Sequence, residues 1–178
     1  MLRFTHLLER PLTADEMARS VRLRLTYDER VKSRLAAMSI DGQAVAIVLP
    51  RGSVMRDGAA LAGDDGAIGR IEAAPQPLAR ITADSSLALL RAVYHLANRH
   101  VAAQLAADQA LIERDPVLEA MLRGLGARVE HIVAPFDPEG GAYHAGQSHG
   151  HSHRDERDEV SATLGEQLSI AAHRRDSS

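Results

Sequence analysis

With 178 residues, 45% of them apolar, the chain can build one medium domain or two small ones. Its core must be aliphatic, because tryptophan is absent and the aromatic residues are Phe4, Tyr27, Tyr94, Phe136 and Tyr143. A net charge of −3 with mixed signs offers no basic face for nucleic acid. The lack of cysteine excludes disulfides, thiolate metal sites and cysteine nucleophiles, leaving imidazole and carboxylate as ligands for any borderline metal.

The opening segment, MLRFTHLLERPLTADE, is too short and too charged for a secretion signal, and no apolar run reaches membrane-spanning length. The expectation is a cytoplasmic protein with no membrane partner. Up to residue 74 the pattern is one of strands and turns. Val21–Tyr27 alternates apolar and polar residues, and Gln43–Leu49 follows the Asp41-Gly42 turn signal. Turns then recur at Pro50-Arg51-Gly52, Arg56-Asp57-Gly58, Gly63-Asp64-Asp65-Gly66 and Gly69. A small all-β domain follows, with Val54, Met55, Leu61, Ile68 and Ile71 as its core.

Pro75-Gln76-Pro77 reads as a short linker into a second domain over 75–138. Leu78–Ala83 is a predicted strand. Asp84 or Ser85 then caps a helix whose apolar face is Leu87, Leu90, Val93, Tyr94 and Ala97. His100–Leu105 and Ala110–Arg114 are predicted strands. Asp115 caps a second helix with Pro116 at its first position, where a missing N–H costs nothing. Its buried face is Val117, Leu118, Met121, Leu122 and Leu125, and Gly124 or Gly126 ends it before a last strand over Ala127–Ala134. The order βαββαβ is ferredoxin-like, and the fold class is α+β.

A third, polar region opens at Pro135-Phe136-Asp137-Pro138, and residues 139–178 form its His-rich tail. Glycine and dense charge predict disorder there, with at most a short helix around Leu164–Ala172. Four of the nine histidines, His144, His149, His151 and His153, fall within ten residues. Neutral imidazoles at that spacing suit nickel, copper, zinc or cobalt, so the cluster is a candidate metal site. The blander reading is a solvated tail. His100, just past a helix end, reads from periodicity alone as a capping residue. His6, His95, His131 and His173 read as surface or packing residues. The chain has no phosphate-binding loop, nucleophile elbow or zinc-protease motif. Asp64-Asp65 and the Asp155–Glu159 cluster read as turn and solvated face, and Lys32, Arg34, Arg51 and Arg56 as a small basic surface.

Several segments together carry a resemblance: Arg30–Ala36 (RVKSRLA), Leu49–Gly58 (LPRGSVMRDG), Tyr94–Gln104 (YHLANRHVAAQ), Asp115–Gly126 (DPVLEAMLRGLG) and Pro135–His144 (PFDPEGGAYH). Their order and spacing, from about residue 20 to 153, closely resemble the urease accessory nickel metallochaperones, the UreE family. The resemblance implies an N-terminal β domain of peptide-binding character, a ferredoxin-like metal-binding domain and a head-to-head homodimer through that second domain. It implies that His100, in Asn98-Arg99-His100, binds Ni²⁺ at the dimer interface, reversing the reading from periodicity. It makes His144, His149, His151 and His153 further nickel ligands. The implied function is delivery of Ni²⁺ to apo-urease together with the accessory GTPase, with no catalysis; zinc and copper compete for such ligands. A nickel or zinc buffer without a dedicated recipient is the alternative. The chain departs from the family pattern at Ala97 and Ala102, where glycine and proline are usual, and at Ala59, where aspartate is common. Arg114 and Pro116 stand where some relatives carry a histidine pair, so that secondary site is expected to be absent.

Overall fold

The structure is a computed structural model, and it describes residues 1–140. It comprises an N-terminal β domain and a C-terminal α+β domain. In the first, six strands form one mixed sheet: β1 (Leu2–Leu8), β2 (Val21–Leu25), β3 (Arg34–Met38), β4 (Ala44–Val48), β5 (Ala60–Gly63) and β6 (Ile68–Ala73). Their order is β2-β6-β5-β1-β4-β3, parallel at β1–β4 and β2–β6 and antiparallel elsewhere. Phe4, Leu23, Leu25, Val45, Ile47, Met55, Leu61 and Ile71 are buried together as its core. Val54 and Ile68, expected in that core, are only partly covered.

Two short helices interrupt the strands, α1 (Ala14–Arg19) and α2 (Tyr27–Arg30). Both start at a capping box that the alternation of the sequence obscures. Thr13 N–H donates to Glu16 at 2.9 Å, and Thr26 N–H donates to Glu29 at 2.8 Å. The strand expected over Val21–Tyr27 therefore stops at Leu25, since Thr26 turns the chain.

The second domain runs β7 (Pro75–Thr82), α3 (Ser86–Ala97), β8 (Gln104–Leu105), β9 (Ala110–Glu113), α4 (Pro116–Gly124) and β10 (Arg128–Pro135). Its antiparallel sheet has the order β10-β7-β9-β8. Ala79, Ile81, Ala110 and Ile112 point to the helices and pack with Leu89, Ala92, Leu96 and Leu122. Leu78 and Leu111 face the other way, against Phe136. This is the period of two expected of strands.

Three expectations change. Pro75-Gln76-Pro77 is no linker but the start of β7, paired with Pro135, Ala134 and Val133 of β10. Proline is tolerated there because β9 reaches only Leu78–Ile81, so β7 has a neighbour on one side alone at residues 75–77. The strand expected from His100 shrinks to Gln104–Leu105, because residues 98–101 close the preceding helix. Finally, residues 135–138 are built into the fold, with Pro135 in β10 and Phe136 and Pro138 buried.

Candidate metal centre

Helix α3 starts where Ser85 accepts the Ala88 N–H at 3.2 Å, and its interior has no breaker. It buries Leu89, Ala92 and Leu96, with Val93 packed beside them. The face expected inside is mostly outside: Leu87, Leu90 and Tyr94 are 57%, 64% and 63% exposed. Both stripes are apolar with helical spacing, so periodicity alone could not tell the core face from the outer one. The outer stripe passes along Leu87, Leu90, Tyr94 and Ala97 to the helix end, where His100 stands exposed.

The end of α3 is a Schellman motif. Val101 N–H donates to Leu96 O at 3.3 Å and His100 N–H to Ala97 O at 2.9 Å. This motif needs a left-handed residue, and His100 supplies it at φ 54°. Among the described residues no other non-glycine residue has positive φ. Helix α4 closes in the same way, with Ala127 to Leu122 and Gly126 to Arg123 both at 3.0 Å, but there the left-handed residue is Gly126 at φ 85°. A left-handed side-chain-bearing residue costs roughly 1–2 kcal/mol. Such strain persists where surroundings over-determine it, and it clusters at functional sites. Sequence periodicity missed this signal; the clue is the absence of glycine from the place that ends α3.

Among the described residues no group of three or more His, Cys, Asp or Glu side chains is placed to hold a metal ion. The described residues thus give His100 no set of three ligands. His144, His149, His151 and His153, like His173, lie outside the described residues.

The other described histidines have different company. His95 lies edge-on to Tyr94 with ring centroids 5.5 Å apart. His6 Nδ1 is 2.8 Å from the Thr5 hydroxyl. His131 Nε2 lies 2.8 Å from Oε2 of buried Glu119, which also accepts from Arg123 at 3.1 Å. The hydrogen bond from His131 is the main reason that the Glu119 carboxyl titrates below its usual range; Arg123 adds to the effect and burial opposes it. The basic residues diverge. Lys32, Arg34 and Arg51 line an open cleft of about 380 Å³, whereas Arg56 turns to Asp137, 3.0 Å away. Asp64 and Asp65 are turn residues, bonded to the Thr5 hydroxyl and the Ala67 N–H.

Comparison with known proteins agrees with this architecture. The UreE urease accessory protein N-terminal domain matches residues 4–74, and the UreE urease accessory protein C-terminal domain matches residues 76–162. The urease accessory protein UreE of Ralstonia nicotianae is 49% identical over 151 residues, covering 85% of this chain and 72% of that protein. Its counterpart in Burkholderia lata is 51% identical over 140 residues, covering 79% and 68% respectively. With both family domains matched in order and half of the aligned residues shared, the chain belongs to the UreE family of urease accessory proteins.

Proposed function

We propose that the chain is a cytoplasmic, homodimeric nickel metallochaperone that hands Ni²⁺ to apo-urease in concert with the accessory GTPase, and that it catalyses no reaction. The observation that carries this reading is His100: an imidazole held in a strained conformation at the open end of an exposed apolar helix stripe. Leu87, Leu90 and Tyr94, with the half-exposed Leu105 nearby, form the kind of apolar surface that marks an interface. A twofold pairing there would bring one His100 from each subunit to a shared cation. Two protein ligands with open positions hold a metal loosely enough to pass it on. We read the βαββαβ order and the β10-β7-β9-β8 sheet as a ferredoxin-like metal-binding domain.

His144, His149, His151 and His153 are the remaining nickel ligands in this proposal, adding capacity rather than selectivity. Copper outranks nickel for imidazole and zinc competes, so the choice of Ni²⁺ rests on supply and partners. A buffer without a recipient would share the ligands but not the hand-over. Calorimetric nickel titration of the full chain, of His100→Ala and of a chain ending at Tyr143 tests the assignment, with activation of apo-urease at limiting nickel. His100→Ala is expected to lose the interfacial site and activation while remaining dimeric. Truncation should lower stoichiometry without removing the thermal transition. If His100→Ala binds and delivers nickel like the unmodified chain, the assignment is wrong.

A further inference from the structure

The loop that presents His100 is fastened on its far side by a segment 36 residues further along the chain. Between α3 and β8, the loop's near end is closed by the Schellman bonds. Its far end enters a strand of two residues, Gln104–Leu105, which among the described residues pairs only with Leu111 and Ala110. That is a weak anchor. Three contacts from residues 136–139 reinforce it: Glu139 N–H donates to Ala103 O at 2.9 Å, Asp137 N–H donates to the Gln104 side-chain carbonyl at 2.9 Å, and Ala102 packs on the Leu78, Leu111 and Phe136 cluster.

Asp137 is in turn gripped by the first domain. Its carboxylate accepts from Arg30 at 2.7 Å, from Arg56 at 3.0 Å and from the Asp57 N–H at 3.3 Å. The Arg30 side chain is fully buried and also donates to Met55 O, at 2.9 Å, and to Phe136 O. Arg56 donates to Pro138 O at 2.6 Å. A path of directional bonds thus runs from the β domain through Asp137 to Gln104, and Glu139 of the same segment holds Ala103, three residues from His100.

We infer that the Phe136–Glu139 segment is a strap that positions His100, with Asp137 as its central residue, so that the β domain supports the metal site without supplying a ligand. This rests on the reading of His100 as a nickel ligand. The left-handed backbone of His100 lies above the relaxed helix or strand conformations in energy, and it survives only while both ends of its loop are fixed. Loosening the far end lets φ relax and carries the imidazole away from its partner across the twofold axis.

Two exposed or half-buried positions test the strap without unpairing buried Arg30. Gln104→Ala removes the acceptor for Asp137 N–H, and Arg56→Ala releases Asp137 and Pro138 from the other side. In the full-length chain each is expected to weaken nickel binding about tenfold, at the low end of what removing ligand-orienting partners does. Neither should change nickel binding further in a His100→Ala background, which separates the strap from the tail histidines. In the metal-free protein, amide exchange at His100 and Val101 should quicken, while Gly126 and Ala127, in the matching motif of α4, keep their rates. Unchanged nickel affinity and unchanged exchange at 100–101 in both variants, with only the melting temperature lowered, would make the strap mere domain glue and overturn the inference. If His100→Ala itself retains full nickel binding, the ligand reading falls, and amide exchange alone still decides whether the strap holds the loop.

Discussion

Residues 100 and 126 occupy the same place in the same helix-ending motif, one as histidine and the other as glycine. Glycine adopts φ near +85° freely, whereas histidine at +54° carries strain, even though it is among the residues enriched there. His100→Gly should therefore make the protein more stable, by about 0.5–1 kcal/mol, while removing the proposed ligand. A raised melting temperature together with lost nickel binding would identify the residue as one kept for function against stability. A lowered melting temperature would mean that the imidazole packs favourably and that no such exchange exists. This residue also marks the limit of what the sequence discloses. Gly126 is legible as a helix stop because glycine signals left-handed backbone, but nothing in the periodicity around Asn98-Arg99-His100 distinguishes a strained presenter from a capping histidine. The family resemblance, not the local pattern, singled it out.

At the scale of elements, the number and order of strands and helices in the second domain were readable, because strong caps and clean periods mark α3, α4 and β7–β10. Which face of α3 is buried was not. Leu87, Leu90 and Tyr94 are as apolar as Leu89, Ala92 and Leu96, and only the position of the sheet decides between them. A helix apolar on both faces has a second surface to cover, and Leu90→Arg tests that: at 64% exposure the change should cost the folded chain less than about 0.5 kcal/mol yet shift the proposed homodimer to monomer in light scattering. A dimer that persists would move the interface elsewhere. On α4, Glu119 bonded to His131 and Arg123 sets a pH dependence. Folding lowers its pKa, so its contribution is complete above the ordinary carboxylate value near 4.5 and is lost as pH falls through the lower folded value. Glu119→Gln should accordingly be less stable than the unmodified protein at pH 7, by about 1–3 kcal/mol, with the gap narrowing below about pH 4.5 in urea titrations at stepped pH. A gap that stays constant into acid would assign the loss to packing rather than to the charge.

Across the whole molecule, the union of the two domains depends on residues far apart in sequence. Arg30 and Asp137 are separated by 107 positions, and neither has a local signature that announces the other. Composition alone made Pro135–Pro138 look like the opening of a polar tail, because aspartate and proline hide the buried Phe136 between them. Tyr27 meets Phe136 edge-on at a centroid distance of 5.4 Å, and Gln76 bridges the Tyr27 N–H to Glu113 at 3.0 and 2.7 Å. The junction therefore has an aromatic contact, a neutral polar bridge and a buried cation, and their importance can be ranked. Removing one partner of a buried ion pair leaves an uncompensated charge, which costs about 3–5 kcal/mol, whereas removing both can be far milder. Asp137→Ala should thus destabilise strongly and split a single urea transition into two, as the β domain and the α+β domain separate. Arg30→Met added to Asp137→Ala should recover part of the loss, so that the double variant falls short of the sum of the single changes by at least about 1 kcal/mol. Strict additivity would show that Arg30 draws its stability from the carbonyls of Met55 and Phe136 rather than from Asp137. The bond from Arg30 to the Phe136 carbonyl, with the Tyr27–Phe136 contact beside it, would then join the domains in place of the ion pair.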